Sequence, residues 1–130
     1  GRVAYLPWAP DRMYHQVRQP GLEAFLLGVV ETVSPHTRQF LETDAPASVE
    51  VTLFRQPGRL VLHLVNASGC WDGHFDTPIT LRNLQFSIAG QYGSIRALGL
   101  DAELGVEHDG ERTRWMLPEL GLYEVVVLSL

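Results

Sequence analysis

Lysine is absent from this 130-residue chain: all ten basic residues are arginine, set against fifteen Asp and Glu, for a formal net charge of −5. A GC-rich bacterial genome is the expected source of that bias. Residues 101–130 hold only Arg112 and Arg114 against seven acids, Asp101, Glu103, Glu107, Asp109, Glu111, Glu119 and Glu124. Such a tail repels phosphate backbones and argues against a nucleic-acid partner. Cysteine is nearly as scarce. A single Cys70 allows no internal disulfide, which excludes the small disulfide-stapled secreted scaffold; its ordinary role is that of a small, half-buried apolar residue. No apolar run approaches the roughly 18 residues of a membrane span, so no membrane partner is expected. Nor does a basic stretch followed by an apolar one mark a signal peptide, and the expected location is cytoplasmic. Initiator Met is missing too, with Gly1 leading straight into Val3-Ala4-Tyr5-Leu6. A processed product or a piece of something longer is expected. What is present, at 45% hydrophobic residues, suffices for one soluble globular unit with a real core.

Residues 1–40 and 41–130 read differently. Val3 to Leu6 predicts a short strand, and Pro7-Trp8-Ala9-Pro10 then breaks regular structure. Residues 11–19 read as a polar loop bearing an aromatic. Pro20 can open a helix, and Leu22, Leu26, Val29 and Val33 follow at helical spacing, with Phe25 and Val30 widening the stripe until Ser34-Pro35 ends it. This β–loop–α segment needs another surface to pack on. From about Ala47 the apolar period becomes two. Val49, Val51 and Leu53 alternate with polar residues, Gln56-Pro57-Gly58-Arg59 is a turn, and Leu60 to Asn66 is apolar on both faces, as in a central strand. Thr80 to Ile88, with an irregularity near Arg82-Asn83, Ile95 to Leu100, Leu104 to His108, Thr113 to Leu117 and Leu122 to Leu130 continue the pattern, and Asp109-Gly110 marks a hairpin. The expected fold class is mainly β: an antiparallel β-sandwich over 41–130, preceded by the short β–loop–α segment.

Several groupings carry potential chemistry. Cys70-Trp71-Asp72-Gly73-His74-Phe75-Asp76 packs a thiol, an imidazole and two carboxylates into seven residues. A small metal-dependent enzyme would need such donors, but no zinc or calcium ligand spacing is met, and no metal or cofactor is expected. The simpler reading is a surface loop. A carbohydrate-binding module would use the same loop differently, with Trp71 as a stacking platform and Asp72, His74 and Asp76 bonding hydroxyls. Asp11 and His15 are candidates for acid–base work, although Arg12 and the neighbouring aromatics equally suit an interface. His63, among Leu and Val, reads as a hydrogen-bonded core or interface residue. Asn66-Ala67-Ser68 fits the N-glycosylation triplet without a secretory context, and Glu103, Glu107 and Asp109 read as a solvated edge. None of these supplies a catalytic residue.

Three segments, in order, carry a family resemblance. Gly1-Arg2-Val3-Ala4-Tyr5-Leu6-Pro7-Trp8 with Asp11-Arg12-Met13-Tyr14 resembles the last strand and loop of the flavodoxin-like, β-galactosidase-type trimerisation domain. His63-Leu64-Val65-Asn66 with Thr77-Pro78-Ile79 resembles the C-terminal β-sandwich that follows it, and Tyr123-Glu124-Val125-Val126-Val127-Leu128 resembles its closing strand. The parents are multidomain bacterial glycoside hydrolases of the fucosidase-like and β-galactosidase-like kinds. Ala67-Ser68 departs from the aromatic and Thr usual there. The resemblance implies that 1–40 is a remnant of the flavodoxin-like domain, that 41–130 is the C-terminal sandwich, and that the catalytic carboxylates lie upstream. The chain would then be a non-catalytic accessory domain whose partners are the upstream catalytic and trimerisation domains, a second copy of itself, or carbohydrate. Tyr5, Trp8, Arg12 and Tyr14 are the expected interface residues.

Overall fold

A computed structural model describes residues 2–17, 19–34 and 40–130, and the chain divides into two compact units, Gly1–Phe40 and Leu41–Leu130. In the first unit Val3 to Leu6 forms no strand. An extended segment becomes a strand only by hydrogen-bonding to a neighbour, and this unit holds no other strand among its described residues. The expected loop at 11–19 is instead mostly helix: α1 spans Pro10–Val17 and α2 spans Pro20–Val33. Pro10 stands at the first helical position, where its missing N–H costs nothing and its φ is already set. Asp11 in the first turn and His15 in the last both complement the helix dipole. Gln19, preceding a proline, is extended, and α2 closes with the Ser34 N–H donating to the Val30 carbonyl (2.8 Å). Leu22, Leu26, Val29 and Val33 are half-buried as their stripe predicts, whereas Phe25 and Val30 are exposed. Neither helix is long and apolar enough to cross a membrane.

The second unit is an antiparallel sandwich. Its strands are β1 (Leu41–Thr43), β2 (Val49–Gln56), β3 (Arg59–Asn66), β4 (Cys70–Trp71), β5 (His74–Phe75), β6 (Leu81–Ala89), β7 (Ser94–Ala97), β8 (Ala102–Leu104), β9 (Glu107–Asp109), β10 (Arg112–Leu120) and β11 (Tyr123–Ser129). One sheet runs β1-β6-β10-β9, the other β2-β3-β11-β7-β8, and β4-β5 is a separate hairpin. β3 lies between β2 and β11, as a strand apolar on both faces should. Period-two alternation sends Leu60, Leu62, Leu64, Val126 and Leu128 inward from one sheet, and Leu84, Phe86, Ile88, Trp115 and Leu117 from the other; all are buried. Phe86 and Trp115 are direct partners in the β6–β10 register and stack with centroids 5.3 Å apart. Two turns follow from their glycines. Gly58 (φ +75°) after Pro57 fits a type II turn, and Gly110 (φ +60°) takes the first central position of the β9–β10 hairpin.

Candidate functional site

The 70–76 segment is a minimal hairpin. Asp72 (φ 45°) and Gly73 (φ 78°) both adopt the left-handed region, the backbone of a type I′ turn, and Asp-Gly is a preferred pair for it. Cys70 faces Phe75 and Trp71 faces His74 in the register, so Trp71 and His74 share one face while Cys70 and Phe75 share the other. Trp71 is 78% and Phe75 86% exposed. Asp72 stands in the turn. Asp76 is turned back on the chain, its Oδ1 accepting from the Thr77 N–H (2.8 Å) and its own N–H donating to the Gly69 carbonyl (2.8 Å). That approach is why position 69 is glycine: an added Cβ would collide with the Asp76 carbonyl oxygen. Among the described residues no three His, Cys, Asp or Glu side chains group closely enough to hold a metal ion.

A second concave region spans the outer face of the four-stranded sheet. Glu42, Ser87, Arg114 and Glu107 form one register row across β1, β6, β10 and β9. One step along, Gln85 faces Met116, and Asp44 Oδ1 accepts from the Gln85 N–H (2.7 Å). These residues line a cavity of about 730 Å³, with Gly105 and Val106 on its flank. Its electrostatics are largely internal. Arg112 donates through Nε to Ser87 Oγ (2.7 Å) and pairs with Glu42 (3.4 Å), and Arg114 pairs with Asp109 (2.6 Å). Glu107, although opposite Arg114 in register, has no ion pair among the described residues.

The remaining candidates fall in separate places. Trp8 stacks on Phe25 (5.6 Å), and the Tyr14 hydroxyl donates to Glu23 Oε2 (3.3 Å), so both tie α1 and its approach to α2. Tyr5 is 85% exposed and Arg12 is exposed. Asp11 and His15 sit four apart on α1, both exposed. His63 hydrogen-bonds Tyr123 through Nδ1 and meets the Phe54 ring edge-on (5.2 Å) on the outer face of the five-stranded sheet. Asn66 is fully buried, donating to the Ile79 carbonyl (2.8 Å) and accepting from the Ser68 N–H (3.1 Å), so its triplet presents no glycan acceptor. Glu124, only 3% exposed, accepts from the Gly99, Leu100 and Val125 N–H groups at 2.6, 2.9 and 2.8 Å. Its in-phase position with Val126 and Leu128 is a readable signal for a buried acid.

No family model and no curated protein matches the chain. Solved structures do. Alpha-L-fucosidase isoenzyme 2 from Paenibacillus thiaminolyticus superposes with a TM-score of 0.78 at 20% identity, over 96% of this chain and 20% of that one. The chain shares this fold. A cycloisomaltooligosaccharide glucanotransferase from a Paenibacillus species, solved with cycloisomaltoheptaose, matches with a TM-score of 0.56 at 18% identity, over 68% of this chain and 16% of that one. The chain thus spans about a fifth of the length of the fucosidase chain that it resembles.

Proposed function

We propose that this chain is a non-catalytic accessory module of a bacterial glycoside-hydrolase-like protein, packing on other domains or subunits of its parent. The observation that carries the reading is the fold match itself: nearly all of this chain is accounted for within a fifth of a fucosidase chain. Two surfaces support a packing role. Val3 (93% exposed) and Tyr5 lie on a segment that pairs with no strand among the described residues and would be available to a strand of another domain, with Trp8, Arg12 and Tyr14 beside it in sequence. On the outer face of the five-stranded sheet, Phe54 and Tyr123 are half-exposed beside Val125 and Val127, an apolar face of the kind that marks contact surfaces. Assay of the purified chain with aryl α-L-fucosides and β-D-galactosides tests the non-catalytic part. Hydrolysis at the buffer rate is expected; turnover that co-purifies with the chain and is lost on substituting one of its own carboxylates overturns the reading. A second reading, sugar contact at the 70–76 hairpin, is favoured by the exposed Trp71–His74 pair. It requires glycan binding that Trp71→Ala abolishes.

A further inference from the structure

We infer that the groove on the outer face of the four-stranded sheet is a binding site for a neutral oligosaccharide. Its volume, about 730 Å³, lies within the roughly 300–1,000 Å³ typical of small-molecule sites. Most such sites are lined mainly by apolar side chains, whereas this one mixes apolar surface, Val106 and Met116 among it, with a row of polar and charged groups. Glu42, Ser87, Arg114 and Glu107 cross it in one row, and Gln85 stands beside them facing Met116. A wholly apolar ligand would cover these polar groups without giving them partners. Anions fare worse, because Arg112 and Arg114 are already engaged with Glu42 and Asp109, while Glu107 has no ion pair among the described residues. A bare metal ion lacks a site, since no close group of three ligating side chains occurs among the described residues. The ligand that fits is one rich in hydroxyl donors with little charge of its own. Carboxylates accept strongly from O–H groups, the Gln85 amide offers both a donor and an acceptor, and Met116, 43% exposed, presents a soft apolar surface to the C–H face of a sugar ring. The groove draws on strands at both edges of the sheet and runs across it, a shape suited to a chain of sugars. This inference depends on the sheet's geometry and goes beyond the accessory reading, so hydrolysis by the chain would leave it standing.

The test is a titration of the full ¹⁵N-labelled chain with isomaltoheptaose, cellohexaose and xylohexaose, followed by amide chemical shifts. At least one sugar is expected to shift Ser87, Glu107, Arg114 and Met116 saturably. Glu107→Ala and Gln85→Ala should each weaken that binding about fivefold or more, the loss of one hydrogen bond to a charged or amide group. Both side chains are exposed, so thermal midpoints should not move, and Glu107→Gln provides a milder variant at the same place. Trp71→Ala should leave the affinity unchanged. The proposal is overturned if no sugar gives saturable shifts up to about 10 mM, if the shifts are confined to residues 70–76 or vanish with Trp71→Ala, or if the groove variants bind within twofold of the parent.

Discussion

Glu124 should be the most costly carboxylate of the sandwich to remove, because it is buried and three backbone N–H groups depend on it. Its Oε1 accepts from Gly99 and Val125 and its Oε2 from Leu100, fixing the turn after β7 onto β11. Hydrogen bonds to a charged group contribute about 1.5–3 kcal/mol each, but Gly99 and Leu100 are exposed and regain water when the acceptor is lost. Removing the buried charge also recovers part of its desolvation cost. Glu124→Ala should therefore destabilise the sandwich by about 3 kcal/mol and Glu124→Gln, which keeps one acceptor, by about 2 kcal/mol. Gly99 provides an internal control. A Cβ there would lie 2.9 and 3.0 Å from the two carboxylate oxygens, which are held by their own bonds and have little room to retreat. Gly99→Ala should cost about 1–3 kcal/mol in the parent and close to nothing when Glu124 is already alanine. Urea unfolding followed by far-UV circular dichroism, with m-values compared, measures all four corners of this cycle. An equal cost of Gly99→Ala in both backgrounds, or a Glu124→Ala variant within about 0.5 kcal/mol of the parent, would show that Glu124 does not hold this turn.

Other outcomes follow from the same geometry. Asn66→Asp removes the donor to the Ile79 carbonyl and places a charge at a fully buried position, so it should cost about 2–3 kcal/mol in the same unfolding assay. Secretion through a glycosylating host should leave Asn66 unmodified by intact-mass analysis. Phe86→Ala breaks the stack on Trp115 and should cost about 3–5 kcal/mol, with loss of near-ultraviolet dichroism. Burial pushes the Tyr92 phenol above its ordinary 10.0, with the Arg55 guanidinium acting less strongly in the opposite direction. Above pH 10 the unfolded chain thus loses this proton first, and stability should fall as pH rises from there until the folded phenol also ionises. Tyr92→Phe should flatten that part of a stability–pH curve measured by urea unfolding.

The sandwich was legible because its core strands alternate without interruption. Leu60, Leu62 and Leu64, and likewise Leu84, Phe86 and Ile88, mark their inward faces in the sequence and are buried. α1 was hidden for a different reason: its stripe of Pro10, Met13, Tyr14 and Val17 lasts only two turns in a mostly polar segment, and Pro10 opens it where proline more often signals a break. Val3 to Leu6 has the composition of a strand, but composition cannot supply the neighbour that a strand bonds to. The 70–75 hairpin gives each strand two residues, too few for alternation to show, so that Asp72-Gly73 was its only mark. The groove left no local trace at all. Glu42, Ser87, Glu107 and Arg114 look like any solvated positions until strand pairing brings β1, β6 and the β9–β10 hairpin into one row.

As proposed above, this chain is read as one module of a larger glycoside-hydrolase-like protein. Sequencing the gene upstream of the Gly1 codon tests it most directly. The claim predicts an open frame continuing upstream for several hundred codons and encoding a separate catalytic domain. A stop codon followed by a start codon immediately before Gly1 would contradict it.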